Sequence, residues 1–329
     1  MRDTGTDWSK IVINAAEHWR LSPDSIELVS HSENIVFKLT SGDVAYAVRI
    51  HNPDYHGLAE LNSEHLWVDA LHESGVEVPA AVKALNGEYF YELNVPGTSE
   101  TRQVSVVEWL DGSILSKLIT ADPDSFGVEK AMYQLGRIAG AIHNQSSAWE
   151  VPEDFRRHAL DADGLMGSTP WWGPFWDLPE LKASEREQFE RVRERLYDLL
   201  SGMNKEPDHF SMIHADLHDR NIIVHGDELY VIDFDDAGFG WHIYELAVAL
   251  HSAMNHPRFT EIERALIDGY RSVRSLDQSQ IELLPVFLLI RSLAIIGWMH
   301  QRPHIPRDML LKAIKPVLQQ VDDTLALTS

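Results

Sequence analysis

The chain has 329 residues, 44% of them apolar, a formal net charge of −23 and no cysteine. That length allows two lobes with separate cores, and the apolar share excludes a disordered chain. The acidic balance excludes a nucleic-acid binder, which needs a basic surface, and the lack of cysteine excludes a disulfide framework and thiolate-held zinc.

The amino-terminal MRDTGTDWSK has no apolar signal core, so a cytoplasmic location is expected. Trp8, Ile11, Val12, Ala15, Ala16 and Trp19 recur at helical spacing, and the helix they predict ends before the Ser22-Pro23-Asp24 turn. Alternating apolar residues then predict an antiparallel meander: Ile26 and Leu28, next Ile35, Phe37 and Leu39, then Val44, Tyr46 and Val48 after a Ser41-Gly42-Asp43 turn. The His31-Ser32-Glu33-Asn34 loop between the first two strands stands where a loop would cover a phosphate, without glycine. Arg49 alternates with Val48 and Ile50 and so points to the opposite face, into any cleft beside the sheet.

A helix over about 57–74 is expected to bury Leu61, Leu66, Trp67 and Leu71 and to carry Glu60 and Glu64 elsewhere; either glutamate could pair with Arg49 or be simply solvated. Strands near Ala81–Leu85 and Glu88–Leu93 read as a hairpin through Asn86-Gly87, and Val104–Trp109 closes the sheet. The β pattern breaks at Glu108-Trp109-Leu110-Asp111-Gly112, which sets a boundary between a lobe of residues 1–110 and one of residues 111–329. Helices follow through Met132–Ile142 and Phe189–Leu200, with a segment rich in Trp, Pro and Gly at 167–177 that either walls a pocket or fills the space between helices. Further helices are expected near 242–252, 261–273, 281–298 and 307–327. The third is the longest apolar stretch, but Glu282, Pro285 and Arg291 interrupt it, so it reads as a buried helix and not as a membrane span.

The chemistry concentrates in Met212–Ala237. There His214, Asp216 and Asn221 stand in an H-x-D-x-x-x-x-N spacing, a hairpin turns at His225-Gly226-Asp227, and a strand ending at Ile232 delivers Asp233. A tight hairpin sets its flanking loops side by side, so Asp216, Asn221 and Asp233 are expected to converge. A carboxylate near an acceptor hydroxyl, with a carboxamide and a second carboxylate as hard oxygen ligands, suits Mg²⁺-assisted phosphoryl transfer. A competing reading takes His214, Asp216 and His218 as transition-metal ligands of a hydrolase, and another a nucleotide-binding protein without catalysis.

The run His214-Ala215-Asp216-Leu217-His218-Asp219-Arg220-Asn221, followed by Val231-Ile232-Asp233-Phe234-Asp235-Asp236, resembles the aminoglycoside phosphotransferase and choline kinase family of protein-kinase-like enzymes. It looks most like the branch of type II homoserine kinases and bacterial stress-response Ser/Thr kinases. The resemblance implies an α+β, two-lobed protein-kinase-like fold, with an antiparallel sheet lobe before a larger helical lobe, and ATP with Mg²⁺ as cofactors. It also implies Asp216 as base or orienting group, Asn221 and Asp233 as metal ligands, and His214 as a brace of the loop. Arg49 would contact phosphate in place of the commoner lysine, with Glu64 as its partner; Glu108, Trp109 and Leu110 would be the hinge at the adenine, and Ser32 and Asn34 the phosphate-covering loop. The expected partner is a small hydroxylated acceptor, cationic given the acidic chain, with a protein substrate as the alternative. Asp235, Asp236 and Trp241 are candidates for the acceptor side, although the two aspartates could equally be solvating the loop.

Overall fold

The computed structural model describes residues 6–121, 127–303 and 305–327. The predicted first helix, α1 (Trp8–Ala16), is capped by Asp7, whose carboxylate accepts from the Lys10 N–H, and it lays Ile11, Val12, Ala15 and Ala16 on a sheet. That sheet runs β1 (Ser25–His31), β2 (Ile35–Ser41), β3 (Val44–Ile50) and β6 (Thr101–Glu108), all antiparallel. Alternation of buried Ile35, Phe37 and Leu39 with half-exposed neighbours gives β2 one core face, as the sequence pattern requires. The expected hairpin through Asn86-Gly87 differs from the structure. The turn is present, with Gly87 at φ 88°, but β4 (Ala81–Val82) and β5 (Phe90–Asn94) do not pair with each other; they lie one after the other along the free edge of the longer β6.

Helix α2 (Leu58–Glu73) departs from its sequence reading in a way that matters for the site. Leu66 is 44% exposed, while Glu64 is buried, because the helix turns its Ser63, Glu64 and Trp67 side inward. Trp67 is fully buried, packs edge-on against Phe234 at 5.7 Å and donates its indole N–H to Ser146 at 3.1 Å. Burying a side chain of that size is worth on the order of 2–3 kcal/mol, so α2 is anchored to the helical half of the molecule. Trp67 and Leu71 accordingly belong to the larger core, and the smaller core, formed by α1, the sheet and the flanking Trp19, Ala84 and Val95, takes nothing from α2.

The rest is mainly helical. After β7 (Ser113–Ile114) come α3 (Leu115–Ala121), α4 (Val128–Ala148), β8 (Ala159–Leu160), α5 (Ala162–Met166) and α6 (Ala183–Ser201). Then follow β9 (Phe210–Ile213), the hairpin of β10 (Ile222–His225) and β11 (Glu228–Val231), and β12 (Gly238–Trp241). Helices α7 (His242–His251), α8 (Phe259–Arg271), α9 (Gln278–Ile281), α10 (Leu284–His300) and α11 (Arg307–Leu327) complete the lobe. Residues 278–300 are long and apolar enough to cross a membrane by composition, but most of them are buried among the neighbouring helices, as the interrupting residues predict. The link between lobes passes flat over β10: a Cβ on Gly112 would lie 2.4 Å from the Val224 carbonyl oxygen, so only glycine fits. In the aromatic segment, Trp172 and Phe175 are buried and fill the core, whereas Trp171 is half-buried and stacks on His158 at 3.7 Å.

Candidate active site

Strands β10 and β11 pair in register from Ile222–Val231 to His225–Glu228, with a two-residue turn in which Gly226 takes φ 61°. This hairpin joins the two loops as expected: the Ile232 N–H donates to the Asn221 carbonyl at 3.0 Å, one residue before Asp233. Asn221 in turn donates its side-chain N–H to Asp216 Oδ2 and to the Asp216 carbonyl, both at 3.0 Å. Asp216, Asn221 and Asp233 thus form one continuous constellation, and with Nδ2 committed, Asn221 keeps its Oδ1 as an oxygen donor.

Two residues here take left-handed backbone that side chains disfavour, Ala215 at φ 65° and Asp233 at φ 70°. Each such residue costs about 1–3 kcal/mol and persists only if neighbours hold it. At Ala215 the holder is Glu245 on α7, fully buried, whose Oε2 accepts the His214 N–H at 2.6 Å and the Ala215 N–H at 3.2 Å. Burial pushes Glu245 up to about 7, against the lowering pull of those N–H groups. His214 supports the same loop: its Nε2–H donates to the Ile232 carbonyl at 3.0 Å and its Nδ1 accepts the Asp216 N–H at 3.2 Å. Both ring nitrogens being engaged, His214 has none left for a transition metal. Among the described residues no group of three or more His, Cys, Asp or Glu is arranged as a metal site, so the hydrolase reading loses its ligands.

Asp216 carries a partner that sequence motifs do not mark. Arg291, on α10, donates to Asp216 Oδ1 at 2.5 Å and lies over the Trp172 ring at 5.4 Å; His218 Nε2 is 3.4 Å from Asp216 Oδ2. Burial acts to raise Asp216, but the His218 hydrogen bond and the Arg291 charge outweigh it and hold the carboxyl below the usual carboxylate range. The signal for Arg291 was present in the sequence as one cation inside a long apolar helix.

Across the cleft, Arg49 Nη2 lies 2.8 Å from Asp235 Oδ1 and 3.4 Å from Asp233 Oδ1, and Arg49 Nη1 lies 3.9 Å from Glu64 Oε1. Glu64, not Glu60, is the helix partner of Arg49, and Arg157 reaches the same carboxylate at 3.4 Å. Burial, then the nearby Asp235, push Glu64 up to about 7. Half of the Asp233 side chain is open to the cleft. Withdrawal from bulk water and the charge of Asp235 push it up to about 8, a repulsion that a bound cation would relieve. The donor set of Asp233 and Asn221 Oδ1 is hard oxygen, which fits Mg²⁺.

Beside this constellation, Val36, Ala47, Ala81, Val107 and Ile232 line a cavity of about 490 Å³ that reaches Arg49, Glu64 and Asp233 at one end and Glu108, Trp109 and Leu110 at the other. The Glu108 and Trp109 N–H groups are used by the carbonyls of Ala80 and Ala45, at 2.8 and 3.1 Å. Leu110 has no such backbone partner among the described residues, so its N–H and the Glu108 carbonyl are what this strand end can offer a flat heterocycle.

Four expectations need correction. Asn34 is not free to cover a phosphate: its Nδ2 donates to Asp235 Oδ2 and its Oδ1 accepts from the Asn52 N–H at 3.0 Å. Ser32 is exposed and outside the cavity, where Ser30 takes a wall position instead. Asp235 is buried and saturated by Arg49 and Asn34, leaving it nothing for an acceptor. Trp241 is 1% exposed, donates to the Asn204 carbonyl at 3.1 Å and packs against Phe210, so it belongs to the core. Asp236 does remain at the front of the cleft, where the Tyr55 hydroxyl donates to it. Burial, then the nearby Asp216, push Asp236 up to about 6.

A match to the family described as phosphotransferase enzyme family (APH) spans residues 25–280. The solved structure of a microcompartment-associated aminopropanol kinase is 31% identical, with 95% of each chain covered and a TM-score of 0.81. Amicoumacin kinase of Bacillus subtilis is 23% identical over 302 residues, covering 89% of this chain and 84% of that protein. A solved amicoumacin kinase in complex with AMP-PNP and Ca²⁺ shares the fold, with a TM-score of 0.79 at 20% identity over 95% of this chain and 94% of that one.

Proposed function

Because the chain belongs to the phosphotransferase enzyme family, we propose that it moves the γ-phosphoryl group of ATP, with Mg²⁺, to the hydroxyl of a small amine-bearing acceptor at Asp216. One observation carries the reading: Asn221 is hydrogen-bonded through its side chain to Asp216 and through its carbonyl to the residue preceding Asp233. Asn221 Oδ1 and Asp233 would hold the cation, which would supply positive charge to offset that of the phosphates. Arg49 supplies a fixed positive charge for the phosphates, and the Leu110 N–H and Glu108 carbonyl meet the adenine.

Asp216 faces the acceptor hydroxyl as a hydrogen-bond acceptor. As the acceptor oxygen bonds to the γ-phosphorus and the bond to the leaving ADP oxygen breaks, the hydroxyl proton passes to the Asp216 carboxylate. Arg291 makes that carboxylate a weak base, so the proton moves late and Asp216 contributes chiefly by orientation. A protonated amine on the acceptor would pair with Asp236. The net charge of −23 and the similarity to an aminopropanol kinase both favour a cationic acceptor.

The test is ATP consumption measured against amino alcohols, hydroxyl-bearing amino acids, aminoglycosides, sugars and a generic protein. Turnover of an amine-bearing alcohol, and at least about tenfold poorer use of the same alcohol without its amine, is the expected result. Phosphorylation of protein with no small-molecule turnover would overturn it.

A further inference from the structure

Between α4 and β8 lies an arginine that belongs to none of the motifs. The Arg157 side chain is fully buried, and its fork is spent on two elements at once. Its Nε–H donates to the Ala237 carbonyl at 2.6 Å, and Nη2 donates to the carbonyls of Asp235 at 2.6 Å and Phe234 at 3.2 Å. Nη1 turns the other way, to the Glu60 carbonyl and to Glu64 Oε2, both at 3.4 Å. Its neighbour Arg156 adds a backbone N–H to Ser63 Oγ at 2.8 Å.

The loop after Asp233 explains why this position calls for a guanidinium. Asp233 takes φ 70°, and in the loop after it the Phe234 carbonyl accepts the Ala237 N–H at 3.0 Å and the Asp235 carbonyl accepts from His56 Nε2 at 2.6 Å; Arg157 adds a second donor to each and also reaches the Ala237 carbonyl. A planar group with five fixed donors can satisfy three carbonyls and still reach α2; a lysine ammonium has three donors and no fork. Glu64 is therefore held from both sides, by Arg49 of the sheet and by Arg157 of the helical lobe, while Trp67 one turn further along fixes the same helix against Phe234.

We propose that Arg157 is a positioning residue that locks α2 onto the Asp233–Ala237 loop, so that the cation-facing and phosphate-facing groups are assembled before any nucleotide arrives. The proposal rests on the reading of Asp233 as a metal ligand.

Two measurements test it. In unmodified protein, hydrogen exchange at residues 60–67 and 234–238 is expected to be equally slow without nucleotide and with Mg²⁺–ATP; rapid exchange that slows only on adding Mg²⁺–ATP would overturn the proposal. In Arg157→Lys, the thermal shift produced by adenosine is expected to persist. The additional shift that Mg²⁺ gives with ATP is expected to disappear, and half-saturating Mg²⁺ for turnover to rise about tenfold or more, the usual scale for removing the support of a metal ligand. A wild-type Mg²⁺ response in Arg157→Lys would refute the role of Arg157, provided Asp233→Asn, measured alongside, loses that response. Retention of the response by Asp233→Asn as well would instead refute the metal assignment on which the proposal stands.

Discussion

At the sheet end of the cleft, Val36, Ala47, Ala81 and Val107 enclose about 490 Å³ of largely apolar space, and the Leu110 N–H lacks a backbone partner among the described residues. At the front of the same cleft the charged groups are already paired: Asp216 with Arg291, Asp236 with Tyr55, Asp235 with Arg49 and Asn34, and Glu33 with Arg302. Several of these pairs cross between the lobes, so the front is cross-linked by polar contacts while the sheet end is a largely apolar slot. The difference follows from chemistry. A flat heterocycle needs only a preformed slot and one or two backbone groups, whereas a catalytic carboxylate left unpaired and partly desolvated would be costly and would shift its own pKa.

That contrast can be broken most severely at Asp216. Asp216→Asn should lower kcat by about a thousandfold, within the range for losing a group at the reacting hydroxyl, while the thermal shift produced by ATP stays as in the wild type. An equal loss of nucleotide binding would mean the two ends are not separable.

Arg291→Met comes next, with kcat falling by about 10- to 100-fold and a change in the pH profile. Arg291 and His218 hold Asp216 low and therefore ionised; without the arginine its pKa rises, so the acid limb of the kcat profile should move to higher pH. An unmoved limb would show that Asp216 does not limit the rate on the acid side.

A smaller effect is expected for Arg302→Met and Tyr55→Phe, each of which removes a contact between the lobes. The acceptor KM should change by about two- to fivefold and the ATP KM by less, since a partly exposed ion pair contributes about 1 kcal/mol or less. The reverse order would place these contacts at the nucleotide end.

The last effect is on stability and not on rate, and it concerns the fold behind both ends. His51, His56, His65, His143, His158, His214, His242 and His251 all have lowered pKa values, chiefly through burial. These groups are depressed in the native state, so their contribution is complete above the unfolded value near 6.5 and is lost as pH falls below it, where the unfolded chain binds protons that the native one refuses. Glu64, Glu245, Asp233 and Asp236, raised in the native state, act the other way and gain stability as pH falls through their native values. The histidines are the more numerous, so thermal denaturation in buffers from pH 6.5 to 5 should show Tm falling; a Tm that rises over that range would contradict this.

Much of this was legible in the sequence because it is local. The spacing of His214, Asp216 and Asn221, the Gly226-Asp227 turn and the strand before Asp233 specify a hairpin, and a hairpin brings its own ends together whatever surrounds it. The alternation in β2 and β3 likewise fixed which way Arg49 points. Leu66 and Glu64 were read the wrong way round because hydropathy assigns the leucine inward, while two buried guanidiniums favour the glutamate there. Trp241 and Asp235 were misplaced for a related reason, since nearness in sequence to a metal ligand says nothing about which face of the next strand or turn a side chain takes.

The sequence by itself therefore determined the β10–β11 hairpin, the β1–β2–β3 meander and the residue types able to perform phosphoryl transfer. Only the tertiary structure decided which long-range partners tune them: Arg291 for Asp216, Arg157 for Glu64 and the loop after Asp233, and Glu245 for the strained Ala215. The physical reason is that a motif records spacing along one segment. The charge that a carboxylate keeps, and the strained backbone a loop can hold, are set by groups 30 to 93 residues away in sequence that packing brings within hydrogen-bonding distance.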